Sequence, residues 1–207
     1  MSARGRFVTL EGVDGAGKST HVPALIAAIE ARGHTVLATR EPGGTPLGER
    51  LREILLHEPM SANDEVFLMF AARSQHVDSV IRPALLRGEW VLCDRFTDST
   101  YAYQGGGHGV DPALIGQLAH YIHGDCNPDL TLLFDVPAEV SRSRLARLVA
   151  TGRELDRFER EHAEFTARVR AVYLERAAAE PARVRVIDST RALGVVDAEL
   201  RALVAAL

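Results

Sequence analysis

Lysine is nearly missing from this chain. Of its 24 basic residues, 23 are arginine and a single one, Lys18, is lysine. Cysteine is scarce as well: Cys93 and Cys126 are too few for the disulfide scaffold of a small secreted protein. Cys93 falls inside an apolar run and reads as a small buried hydrophobe. No apolar run reaches the roughly 18–20 residues of a membrane span. The start, Met1-Ser2-Ala3-Arg4-Gly5-Arg6, passes straight into Phe7-Val8-Thr9-Leu10, which leaves no room for a signal peptide. Excess positive charge is lacking too. A net charge of −4 and a pI near 6.1 argue against a duplex nucleic-acid binder, which needs a basic face. Repeats, low-complexity segments and linkers are absent. The expectation is a cytoplasmic protein of one domain, residues 1–207, with neither a membrane nor a nucleic acid as partner.

What is present has the composition of a soluble globular domain, 46% hydrophobic and 25% charged. Five short β-rich runs stand out: Phe7–Leu10, Thr35–Thr39, Trp90–Cys93, Leu130–Phe134 and Val184–Ile187. Helical stretches separate them, so the pattern predicts an α/β fold with a five-stranded parallel sheet flanked by helices. Glu11, Glu41, Asp94, Asp135 and Asp188 follow the strands, at the carboxyl ends where such sheets gather ligands. Predicted helices cover Lys18 to about Arg32, Leu47 to His57, and Asp64 to Leu86 with a kink or break at Pro83. Further helices start at Asp111-Pro112 and after Pro137, the latter running to Ala150. A Thr151-Gly152 break precedes a long helix over Leu155–Ala179.

The lone lysine completes the string Gly12-Val13-Asp14-Gly15-Ala16-Gly17-Lys18-Ser19-Thr20, a G-x-x-x-x-G-K-[ST] phosphate-binding loop between a strand and a helix. Glycines let the backbone N–H groups turn toward a polyphosphate, and the helix N-terminus adds partial positive charge. A compact ammonium follows a moving phosphate where a planar guanidinium fork imposes its own geometry. Residues 12–20 are thus the expected ATP site, with Ser19 placed to ligate Mg²⁺. A GTP-dependent switch is excluded, because its guanine-reading Asn-Lys-x-Asp segment needs a second lysine.

Three further segments decide among the proteins that share such a loop. They are Arg40-Glu41-Pro42-Gly43-Gly44-Thr45, Phe70-Ala71-Ala72-Arg73, and Asp94-Arg95-Phe96 running on through Ser99-Thr100-Tyr101-Ala102-Tyr103-Gln104-Gly105-Gly106. Together with the loop they resemble, in order and spacing, the motifs of bacterial thymidylate kinases, P-loop nucleoside monophosphate kinases. The resemblance runs from Phe7 to about Asp188. It implies transfer of the γ-phosphoryl group of ATP to dTMP, giving dTDP and ADP. It also implies that Arg95 holds the acceptor phosphate, with Arg40 on the dTMP side as a second phosphate-side or loop-ordering arginine. Phe70 would stack on thymine, Arg73 would reach its O4, Thr100 and Gln104 would contact its polar edge, and Tyr103 would pack on the sugar. Asp14 would reach the sugar 3′-hydroxyl or an acceptor-side arginine. The reacting acceptor is an ionised phosphate oxygen, so no general base is expected; positioning and cation placement carry the catalysis.

Two carboxylates compete for the metal side. Asp94 is favoured because its neighbour Arg95 must also face the phosphates, whereas Asp135 precedes Val136-Pro137 and is suited to capping a turn. The loop positions Val13, Asp14 and Ala16 supply no cation over the transferring group, so the resemblance places it on a lid at about residues 141–156. Among Arg142, Arg144, Arg147 and Arg153, the choice is Arg153, with Arg147 second. His120 and His123 have no partner pair for zinc and read as the end of a helix. Members of the resembled family are homodimers, and the apolar helix Val66–Val80 offers a surface for one.

Overall fold

The computed structural model describes residues 4–207; Met1–Ala3, part of the lead-in read above as too short for a leader, lie outside the described residues. Along the chain come β1 (Phe7–Glu11), α1 (Lys18–Glu30), β2 (Val36–Arg40), α2 (Pro46–His57), α3 (Ala62–His76), α4 (Arg82–Leu86) and β3 (Trp90–Asp94). They are followed by α5 (Thr97–Thr100), α6 (Pro112–Ile122), β4 (Leu130–Asp135), α7 (Ala138–Ala150), α8 (Ala163–Ala179), β5 (Val184–Asp188) and α9 (Leu193–Ala205). All strand pairs are parallel, in the order β2-β3-β1-β4-β5. The five expected strands are therefore present, in the expected parallel sheet. Among the described residues no helix is long and apolar enough to cross a membrane.

Both faces of the sheet are covered, which explains why β1 and β4 read as nearly continuous apolar runs. Val8 and Leu10 point into a core shared with α1, α8 and α9, while Phe7 points to the opposite core with Val91, Cys93 and Phe96. Fully burying side chains of this size contributes roughly 1.5–3 kcal/mol each. Thr9 is polar inside this layer, and its hydroxyl is satisfied by that of Thr131 at 2.8 Å. Cys93 is fully buried, as expected of a small hydrophobe.

Two helices differ from the sequence reading. The span read as one helix from Asp64 starts two residues earlier, at Ala62, because Ser61 and Asp64 form a reciprocal capping box. It then widens into a π-turn at Val77–Ile81, with Arg82 N donating to Val77 O, before α4 carries Pro83. The proline, which has no N–H to give, follows this wider turn, so the regular α-helix is interrupted just before it. The predicted helix from Leu155 begins only at Ala163. Asp156 and Glu159 explain the difference: Glu159 Oε2 accepts from Asp156 N at 3.1 Å and Asp156 Oδ1 accepts from Glu159 N at 3.0 Å. Those side chains satisfy the backbone in a turn and compete with the helix. A second π-turn, Tyr101–Gly107, carries the Tyr-Gln-Gly-Gly run.

Candidate active site

The strand order reverses around β1, and the loop after β1 opens there, at the carboxyl edge where ligands bind in open α/β sheets. Gly12 has φ 134°, and a Cβ on it would stand 2.3 Å from the Phe134 carbonyl oxygen. Gly17, at φ 99°, turns the chain into α1. No other residue type fits either position without strain. Lys18 is buried, and its Nζ donates to Gly12 O at 3.1 Å and Val13 O at 3.4 Å, so the ammonium arches over the loop. Burial, then the charge of Arg95, push its pKa down, against the pull of Asp94, Asp14 and Glu11.

The loop is strapped from outside by residues that sequence reasoning did not single out. Arg144 on α7 donates to Gly15 O at 3.2 Å, Ala16 O at 3.0 Å and Ser189 O at 2.7 Å. Ser141 Oγ donates to Asp14 O at 2.7 Å, and Ser189 Oγ to Ala16 O at 2.6 Å. Arg144, expected only as one of several lid arginines, is thus a brace.

The two candidate metal-side carboxylates now separate. Asp135 accepts both Arg170 Nε at 2.6 Å and Nη2 at 2.7 Å. Asp94 Oδ1 is buried and has no hydrogen-bond partner among the described residues. A buried carboxylate oxygen left bare is costly, and it is the atom a divalent cation would satisfy. With the hydroxyl of Ser19 lining the same cleft, the donor set is all oxygen and fits Mg²⁺.

Arg95 has φ 71°, in the left-handed region that few non-glycine residues adopt. Its surroundings hold it there. Glu11, at the end of β1, accepts Phe96 N at 2.7 Å and Ser99 N at 3.3 Å, and also the hydroxyls of Ser99 at 2.6 Å and Tyr173 at 2.8 Å. The guanidinium donates through Nη1 to Ser99 Oγ and Tyr173 OH, both at 3.1 Å. Through Nη2 it donates to Asp14 Oδ1 at 2.5 Å and Tyr103 OH at 3.0 Å. Tyr103 OH in turn donates to Asp14 Oδ2 at 2.7 Å. Burial would raise the Asp14 pKa, but Arg95 and Lys18 hold it below the usual carboxylate value. Glu11 goes the other way: burial and the neighbouring charge of Asp98 lift its pKa to about 7. Glu11, Ser99 and Tyr173 were missed as a supporting group. Glu11 carried a signal, as a charged residue closing an apolar strand, but Tyr173 sits in mid-helix with nothing in its local sequence to mark it.

A second cleft opens beyond Arg95. Arg73, Thr100, Tyr103 and Gln104, the residues the resemblance assigned to the acceptor base and sugar, all line it. Arg73 is buried, held by Glu41 Oε2 at 2.7 Å and Thr100 Oγ1 at 3.1 Å. His76 braces Glu41 from behind at 2.9 Å. Phe70, expected to stack on the base, is 2% exposed. It sits in a core cluster with Val66 and Ile115, and the Arg73 guanidinium stands over its ring at 4.8 Å. The apolar wall of the cleft comes instead from Met69, Leu56, Phe96 and Phe158. Met69 and Phe70, four and three residues before Arg73, flank it on one helix face, Met69 lining the cleft and Phe70 packing beneath the guanidinium.

Arg40 lines the cleft at the phosphate loop and not the second one, exposed and paired with Glu49 at 2.9 Å. Arg52, overlooked in the sequence, lines both clefts and donates to Pro42 O at 3.0 Å. Arg147 and Arg153 both line the loop-side cleft, Arg153 paired with Glu159 at 2.6 Å. The tip carrying Arg153 is pinned by Arg157, which donates to Leu55 O at 2.8 Å and reaches Glu65. Among the described residues no cluster of three or more His, Cys, Asp or Glu forms a metal site. His123 ends α6 but is buried, donor or acceptor to Thr97 Oγ1 at 2.9 Å, and burial lowers its pKa to about 4.

The chain matches the family model described as thymidylate kinase over residues 10–200. It is 59% identical to the thymidylate kinase of Bordetella pertussis over 99% of each chain. To that of Methylobacillus flagellatus it is 55% identical over 95% of each. The crystal structure of thymidylate kinase from Ehrlichia chaffeensis superposes with a TM-score of 0.76 at 32% identity, covering 97% of this chain and 99% of that one. A loop for a polyphosphate, an arginine-centred cleft beside it and these likenesses agree: the chain belongs to the thymidylate kinase family, enzymes that transfer a phosphoryl group from ATP to dTMP.

Proposed function

We propose that the two clefts divide the phosphoryl transfer between them, with ATP on residues 12–20 and dTMP against Arg73, Arg95, Thr100, Tyr103 and Gln104. The observation that carries this reading is their overlap: Asp14, Glu41, Arg52, Arg95 and Asp156 line both. A phosphate in one cleft therefore meets a phosphate in the other beside Arg95 and Arg52. Lys18 follows the transferring group, and Arg153, with Arg147 as alternative, supplies a cation from the lid at about residues 141–156. Ser19 and Asp94 would hold Mg²⁺, which would supply positive charge against the donor phosphates. Asp14 fixes Arg95 and takes no proton, because the acceptor phosphate is already ionised near neutral pH. Tyr103, clamped through its hydroxyl, presents its ring edge to the sugar. Arg40, tied to Glu49, adds positive potential on the loop side.

Two statements about the whole protein belong to the same reading. We infer a cytoplasmic homodimer with no nucleic-acid partner, supported by a net charge of −4 and by the exposed Phe67 on α3.

ADP release from ATP and Mg²⁺ with dTMP, dUMP, dCMP, dGMP, thymidine or no acceptor tests the proposal. The expected result is strong turnover with dTMP, less with dUMP and none with thymidine. Preference for thymidine, or hydrolysis indifferent to acceptor, would leave the loop and discard the acceptor cleft.

A further inference from the structure

Glu65 belongs to neither phosphate group of residues, yet it is 1% exposed and takes three side-chain donors. Its Oε2 accepts Gln104 Nε2 at 3.0 Å and His108 Nδ1 at 2.9 Å, and its Oε1 accepts Arg157 Nη1. Burial by itself would raise its pKa, but the hydrogen bonds from His108, Arg157 and Gln104 hold it below the usual glutamate value. An ionised carboxylate only accepts. The amide of Gln104 therefore has to turn its NH₂ end toward Glu65, and its carbonyl Oε1 is the end left for the cleft that Gln104 lines. Nearby, Arg73 has Nε on Glu41 and Nη1 on Thr100, so Nη2 is the donor it has left for the same cleft.

One fixed acceptor and one fixed donor on the lining of one cleft match a pyrimidine edge carrying N3–H and a carbonyl at C4. A cytosine edge reverses both groups: its amino group would meet a guanidinium and its bare N3 a carbonyl. Such a mismatch leaves buried polar groups unpaired, which discriminates far more strongly than a difference in shape.

We propose that Glu65 is a positioning residue that sets the polarity with which Gln104 meets the acceptor base, and thereby selects a thymine-type edge over a cytosine-type edge. The proposal rests on the second cleft being the base site. In Glu65→Gln, the Arg157 guanidinium claims the new amide carbonyl. The new NH₂ then faces Gln104, which must swing its own carbonyl out of the cleft and present a donor in its place.

The test is kcat/KM for dTMP, dUMP and dCMP in the wild type, Glu65→Gln, Gln104→Leu and the double variant, with thermal unfolding as the check on folding. The expected result in Glu65→Gln is a dTMP-over-dCMP preference lowered at least about tenfold. Its dTMP-over-dUMP preference should stay within about twofold, since those bases share the edge that Gln104 reads. In the Gln104→Leu background, Glu65→Gln should lower the dCMP discrimination no further. If Glu65→Gln does not fold, Glu65→Asp, which keeps the charge but withdraws it by one methylene, should lower the same preference. An unchanged dTMP-over-dCMP preference in a folded variant, an equal loss against dUMP and dCMP, or an added loss in the double variant would overturn the role of Glu65. Gln104→Leu separates the two levels. If it lowers the preference while Glu65→Gln does not, the base site stands and Glu65 is wrong. If it changes nothing, both fall together.

Discussion

Lys18 rests on two carbonyls of its own loop as a compact point charge, and a planar arginine fork would not reproduce that arch. Lys18→Arg should keep the thermal midpoint within a few degrees and lower kcat by about 10²-fold or more. Near wild-type turnover would remove Lys18 from the transfer. Asp94 and Asp135 should part in the same way. Asp94→Asn should lower kcat about 10²-fold and raise the Mg²⁺ concentration needed for half-maximal rate. Asp135→Asn, which breaks a partly exposed ion pair with Arg170, should cost stability of about 1 kcal/mol or less with kcat unchanged. The opposite pattern in a Mg²⁺ titration would assign the metal side to Asp135. Glu11 makes a prediction about pH. Its pKa is about 7 when folded against 4.5 as the reference value. Between those values the folded state keeps a proton that the unfolded state has lost, so this group weakens folding as pH rises through the window and the full cost is reached above it. Glu11→Gln should therefore gain stability relative to the wild type from about pH 5 to pH 8, on the order of 3 kcal/mol. His123, kept neutral down to about 4, tilts the acid side of both proteins the other way, so the difference between the two denaturant-unfolding curves is the readout. A difference that does not vary with pH would mean that Glu11 is already ionised when folded.

At the scale of elements, α7 is the strap of the phosphate loop. Arg144 and Ser141 tie it to Gly15, Ala16 and Asp14, while its far end leads into the turn that bears Arg153. Any movement of the tip is therefore anchored at a helix that grips the ATP loop. Arg144→Met removes three charge-assisted hydrogen bonds and should raise KM for ATP about tenfold while KM for dTMP stays within about twofold. An unchanged KM for ATP would show that the loop keeps its shape without the strap. The helix α3 plays a similar double part, since one face presents Met69 and Arg73 to the acceptor cleft while Glu65 reaches Gln104 and Arg157.

For the whole molecule, α3 carries one large exposed aromatic, Phe67, 54% exposed. If the homodimer forms through it, Phe67→Asp should change monomer stability by no more than about 0.5 kcal/mol yet shift sedimentation from dimer to monomer. A variant that sediments as the wild type does would exclude this face. The phosphate loop, the five strands and the carboxyl-edge acids were legible in the chain itself, because each depends on local chemistry. Glycines permit the loop's turn, apolar runs form buried strands, and parallel order follows from alternation with helices. The cleft-lining Arg73, Arg95, Thr100, Tyr103 and Gln104 were legible through motif resemblance. Other decisions had to wait for tertiary structure, since they depend on neighbours distant in sequence. Asp94 was separated from Asp135 only by Arg170, 35 residues beyond the latter. Met69 lines the cleft while Phe70 packs under Arg73 in a core cluster, a division between neighbours on one helix face that local pattern does not set. Arg144 proved a brace once α7 lay against the loop, and Glu65 gained its place when α3, the second π-turn and the Arg157 segment met around one carboxylate. Local pattern determined which elements form and where a phosphate can bind; only packing decided which of several chemically equivalent side chains faces it, because orientation is a property of the assembled core.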